Sequence, residues 1–153
     1  MKEAGGYYSE YIARSLSYSS NREDYPNLTD EQFANFRMVA TTGIGKGKLY
    51  RSASPINPKY NRAKYADAAY RKAGVNVIMN LADDENTAKS YDGYGTTYYS
   101  GQKYVVLNME MDVSTDDFRA KLAQGLKFFP RIPGCTASIV QKEKTARDLS
   151  PRF

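Results

Sequence analysis

The chain has 153 residues, 41% hydrophobic and 25% charged, with net charge +5 and a pI of about 9.2, which suits one modest soluble domain able to bury a core. It holds one cysteine, Cys135, and no histidine; an internal disulfide and Ser-His-Asp or Cys-His catalysis are excluded, and a Cys/His metal site is disfavoured. No stretch approaches the roughly 20 apolar residues of a membrane helix. The net charge favours anionic partners in general, phosphate esters included, and because basic and acidic residues interleave without a block of one sign, a solvated basic surface is a better reading than a nucleic-acid site.

In chain order, residues 1–8 lack the apolar core of a signal peptide, so a soluble chain, cytoplasmic or secreted, is expected and the compartment stays open. Residues 7–18 read as an amphipathic helix, with Tyr8, Tyr11, Ile12 and Leu16 at helical spacing. After a polar break at 21–26, Thr29-Asp30-Glu31-Gln32 has the form of a capping box and predicts a short helix through Phe33 and Phe36. Residues 43–48 form a Gly/Lys turn. Leu49-Tyr50-Arg51 is a short strand, left through the loop Ser52-Ala53-Ser54-Pro55.

Residues 60–73 are helix-like and Gly74 is a stop signal. Residues 75–81 are β-branched and apolar, the pattern of a buried strand. Asp83, Asp84 and Glu85 follow its carboxyl end, and residues 87–101, rich in Tyr, Gly and Ser, read as a surface loop or frayed helix. Residues 104–108 form the next strand. Ser114-Thr115-Asp116-Asp117 caps a helix over 118–129 with Phe118, Leu122, Leu126 and Phe129 on one face. Alternating strands and helices predict a layered α/β domain whose ligands sit beyond the carboxyl ends of the strands.

At Pro130 the character changes. Pro130 and Pro133 end the helix, residues 135–140 read as a weak strand, and 141–153 show no apolar period. The chain thus divides into an N-terminal helical extension (1–28), a partial α/β domain (29–129) and an atypical tail (130–153).

Three segments carry a resemblance. Asn35-Phe36-Arg37-Met38-Val39, the strand and turn Lys48-Leu49-Tyr50-Arg51-Ser52-Ala53-Ser54-Pro55, and Val75 to Leu81 with Asp83 and Glu85 occur in an order and spacing similar to a bacterial branch of the cysteine-dependent tyrosine/dual-specificity protein phosphatases. The openings N-F-R-x-V and L-[YF]-R-S-[AG]-x-P are matched; Asn80 and Ala82 stand where Asp and Arg are usual. The resemblance implies a three-layer phosphatase-like domain, with a central mostly parallel sheet flanked by helices, incomplete at its C-terminal end. It also implies hydrolysis of phosphate monoesters, on a phosphoprotein or a phosphoinositide, through a cysteinyl-phosphate and without a metal or organic cofactor.

The family's defining H-C-x5-R loop is missing from the chain as it stands. Six residues after Cys135 comes Gln141 rather than arginine, and 136–140 hold no glycine for an anion-cradling turn. Read from the third base of the Ala137 codon onward, however, the back-translated sequence permits V-H-C-T-E-G-K-D-R-T-G-F. The His would straddle the codons of Ser138 and Ile139, the Cys those of Ile139 and Val140, and the Arg those of Thr145 and Ala146. This pattern predicts a one-base frameshift within 130–135 and an inactive product.

By resemblance Asp112 is the candidate general acid, although a turn or cap explains it as well. Arg51 and Ser52 border the phosphate-loop region. Asp83, Asp84 and Glu85 form a pocket edge or a polar loop. The competing roles are a pseudophosphatase that binds phosphorylated ligands, or a product without a selected role. In the latter the sheet would lack its central strand and self-associate through an exposed edge.

Overall fold

The computed structural model describes residues 19–39, 48–109, 114–128 and 136–140. The expected helix at 7–18, the turn at 43–47, Asp112, Phe129, Cys135 and the tail at 141–153 lie outside them.

After a single 3-10 turn, Arg22–Asp24, helix α1 (Asp30–Phe33) begins at the expected capping box. The Thr29 hydroxyl accepts from the Gln32 N–H, and the Gln32 side chain accepts from the Thr29 N–H at 2.9 Å. The helix does not extend through Phe36. It ends at Phe33, and Asn35 turns the chain with a left-handed φ of 55°, a conformation asparagine tolerates. The next residues form a two-residue strand, β1 (Arg37–Met38), that the sequence did not suggest.

Strand β2 (Lys48–Ser52) leads to helix α2 (Ala63–Ala73), which begins three residues later than expected because Pro58 and Asn61 shape a turn first. α2 buries Ala66, Ala69 and Tyr70. Gly74 ends it as foreseen, at φ 69°, where a side chain would be strained. Strand β3 (Val77–Asn80), helix α3 (Glu85–Ser90), strand β4 (Lys103–Val106), helix α4 (Asp116–Phe128) and strand β5 (Thr136–Val140) complete the described chain.

The five strands form one sheet in the order β1-β2-β5-β3-β4. β1 is antiparallel to β2; all other pairings are parallel. This corrects the expectation of a sheet without its central strand. The weak segment Thr136–Val140 takes the central slot, bonded to β2 on one side and β3 on the other, and buries Ala137, Ser138 and Val140. A central strand needs only alternate small and β-branched residues that fit both faces, a demand five residues can meet without a long apolar run.

The segment 87–101, read as a surface loop or a frayed helix, is helical at its start and is not a surface loop. It consists of α3 and two 3-10 turns, Tyr94–Thr96 and Tyr99–Gly101, and it carries Ala88 and Tyr99 fully into the core. Asp67 of α2 holds it down, its two carboxylate oxygens accepting from the N–H groups of Tyr98 (3.0 Å) and Tyr99 (3.2 Å).

One face of the sheet packs Ile78 and Val140 against Tyr70, Val75, Ala88 and Tyr99. On the other, Met79, Leu107 and Met109 meet Phe118 of α4. Each fully buried Val, Ile or Phe contributes about 1.5–3 kcal/mol. Of the apolar face expected on α4, Phe118 packs inward but Leu122 is 42% exposed; Gly125 rather than Leu122 makes the close approach to the sheet. Among the described residues no helix is long and apolar enough to cross a membrane.

Candidate functional site

The parallel strands β2, β5 and β3 end together: Val140 is level with Ser52 on one side and Asn80 on the other. In an open parallel sheet this edge is where ligands bind. Of the residues singled out in sequence, Ser52 and Asp83 are buried there with their polar groups turned inward, while Asp84 and Glu85 are exposed.

Ser52 is buried, and its hydroxyl joins a chain of three. Ser138 of β5 donates to the Tyr70 hydroxyl at 2.9 Å; Tyr70 and Ser52 are 2.7 Å apart; Ser52 donates to the Ala53 carbonyl at 2.7 Å. With the Tyr70 O–H directed to Ser52, every hydroxyl donates once, so the chain is internally satisfied. The loop that follows is equally closed. Ala53 N–H donates to the Ala34 carbonyl, and the Ser54 hydroxyl accepts from the N–H groups of Ile56 and Asn57. The motif Arg51-Ser52-Ala53-Ser54-Pro55 is thus a buried corner. Arg51 is half-buried, opposite Arg37 of β1 and Ile139 of β5; strand alternation directs it to the face opposite Ser52.

The acidic turn after β3 is organised by Asn80, which is fully buried. Its side-chain oxygen accepts from the N–H groups of Ala82 (2.9 Å) and Asp83 (3.3 Å), an Asx-turn. Its amide nitrogen donates to the Asp83 carboxylate and to the Tyr99 hydroxyl, both at 3.2 Å. The other Asp83 oxygen accepts from the Tyr91 hydroxyl at 2.7 Å. Burial, reinforced by the bond to Asp83, raises the pKa of Tyr91, and burial does the same for Tyr99; both phenols stay neutral donors or acceptors.

Asp84 and Glu85 serve α3. Asp84 is its N-cap, accepting from the Thr87 N–H at 2.8 Å, and that bond lowers its pKa. Glu85 pairs with Lys89 one turn later at 2.6 Å. A third polar contact, Tyr94 to Tyr104 at 2.5 Å, lies over β4, where Tyr104 also stacks on Tyr99 with ring centroids 4.8 Å apart.

The structure therefore brings Ser52, Asp83 and Asp84 to the edge where ligands bind and commits each to an internal bond. Asp112 and Cys135 lie outside the described residues. Among the described residues no three carboxylate or other ligating side chains group as a metal site. Sequence reasoning missed Asn80 as the centre of this turn, and with it Tyr70, Tyr91 and Tyr99. A polar residue ending a buried strand, three positions before an aspartate, was the available signal.

Comparison with models of known protein families, with curated proteins and with solved structures gives no match.

Proposed function

We propose that this chain derives from the cysteine-dependent tyrosine/dual-specificity phosphatases, with the loop that performs the chemistry displaced from its reading frame. One coincidence carries the reading. The shifted frame assigns the nucleophilic cysteine to the codons of Ile139 and Val140, and Val140 is the last residue of the central strand, between Ser52 and Asn80. A cysteine encoded there would leave the strand at the edge that suits an anion. The back-translation used no strand pairing, so the two observations are independent. Helices α2 and α4 on opposite faces of the sheet fit the three-layer arrangement of that family.

The parent would hydrolyse phosphate monoesters. Its thiolate would attack phosphorus, and an arginine six positions on would hold the phosphoryl oxygens in pairs. An aspartate, Asp112 or the one within the displaced loop, would protonate the leaving oxygen. The present chain supplies no cysteine with an arginine six positions later, and it is expected to release no phosphate. A binding role is disfavoured because Ser52 and Asp83 already spend their polar groups internally.

The third-base frame comes into phase when one base is added upstream. A gene with one base inserted within codons 130–135 should give a product that hydrolyses p-nitrophenyl phosphate, while the present chain does not. A folded but inert product of the altered gene would overturn the reading. So would phosphate release by the present chain that Cys135→Ser abolishes.

A further inference from the structure

Asp92 is the one aspartate that a glycine follows, and no asparagine precedes a glycine. The pair Asp92-Gly93 forms the centre of a turn in which the Tyr94 N–H donates to the Tyr91 carbonyl at 3.1 Å. Gly93 takes φ 75° and ψ 7°, the values of the third residue of a type II turn. Both central residues are exposed. The carbonyl of Gly93 is tied down, accepting from the N–H and the hydroxyl of Thr96 at 3.0 and 2.8 Å. The amide joining Asp92 to Gly93 is not. Among the described hydrogen bonds none involves the Gly93 N–H or the Asp92 carboxylate, whereas Asp67, Asp83 and Asp84 are each held by one or more.

We propose that Asp92 is a site of spontaneous modification, converting to isoaspartate and loosening the tyrosines on either side. The Gly93 nitrogen attacks the carbon of the Asp92 side-chain carboxyl. A C–N bond forms, the nitrogen gives up its proton and the carboxyl its hydroxyl, and the two leave as water. The product is a five-membered cyclic imide, which a second water opens at either carbonyl. Opening at the side-chain carbonyl restores aspartate. Opening at the main-chain carbonyl leaves the backbone running through the side chain, one carbon longer. The cycle needs no co-reactant besides water. Attack requires the central amide to swing toward the Asp92 side chain; no described bond opposes that, and glycine puts no β-carbon in the way. The same turn sets the spacing of Tyr91, which donates to Asp83 at 2.7 Å, and Tyr94, which donates to Tyr104 at 2.5 Å. An added main-chain carbon between them puts the two hydroxyls out of register with their partners. The proposal goes beyond the phosphatase reading and stands without it.

The test is storage of the full chain at neutral pH and body temperature for several weeks, then tryptic digestion and mass spectrometry of the peptide Ser90–Lys103. The expected result is a second peak of unchanged mass that grows with time, with fragment ions placing isoaspartate at position 92, while the peptides that carry Asp67 and Asp83 stay single. Asp92→Glu keeps the charge, but its longer side chain would have to close a six-membered imide, a much slower step, and the second peak should be lost. Stored chain should unfold at a lower urea concentration than fresh chain, and Asp92→Glu should unfold at the same concentration before and after storage. Three results would overturn the proposal: a single Ser90–Lys103 peak after storage, isomerisation at Asp67 or Asp83 as fast as at Asp92, or an unchanged urea midpoint in chain that has converted at Asp92.

Discussion

The two faces of the sheet are built by different means. Toward α2, side chains lock through hydrogen bonds: Ser138, Tyr70 and Ser52 in one chain, Asn80, Asp83, Tyr91 and Tyr99 in another. Toward α4 the contacts are apolar, between Met79, Leu107, Met109 and Phe118. Polar networks are directional and costly when broken; flexible apolar side chains can shift. The α2 face therefore defines the strand alignment, and the α4 face fills space.

Substitutions should separate the faces. Asn80→Ala leaves the Asp83 carboxylate and the Tyr99 hydroxyl short of a partner in the core. It should destabilise by about 2–4 kcal/mol in urea unfolding; a loss below about 0.5 kcal/mol would show that the network is dispensable. Tyr70→Phe removes the middle of the hydroxyl chain and should cost about 1.5–3 kcal/mol. Combining it with Ser138→Ala should cost less than the sum of the single changes, because both break the same chain.

Raising the pH probes the same face. Burial favours the neutral phenols of Tyr91 and Tyr99, so their folded pKa values lie above the ordinary 10.0. Their contribution is complete below that value and is lost as the pH climbs past it. Unfolding midpoints should fall in that range, and Tyr99→Phe should flatten the fall.

The smallest effect belongs to the α4 face. A β-carbon at Gly125 would lie 2.9 Å from both the Leu107 Cδ1 and the Met79 Cε. Both are ends of flexible side chains, and alanine gains about 1 kcal/mol in helix propensity. Gly125→Ala should therefore change stability by no more than about 1 kcal/mol. A loss as large as that of Asn80→Ala would erase the contrast between the faces.

Sequence showed those parts of the fold whose signals are local. The Thr29 capping box, the Gly74 stop and the apolar run at 75–81 each act within a few residues. The central place of Thr136–Val140 was hidden because it depends on distant partners, β2 and β3. Tyr99 was hidden because the turns that bury it have no apolar period; Asp67, more than 30 residues earlier, holds them in place. At the candidate site, sequence located Ser52, Asp83 and Asp84 correctly at the strand ends. It could not show that Tyr70, Asn80 and Thr87 would engage them, since polar side chains look alike whether they face a ligand or each other.

The most direct test is the base sequence encoding Ala137 to Asp148. A displaced phosphatase loop requires the Ser138 codon to end in C for the histidine, the Ile139 codon to end in T for the cysteine, and the Thr145 codon to end in C for the arginine. All three endings together are the expected result. An Ile139 codon ending in A or C would put serine or arginine in place of the nucleophile and contradict the account.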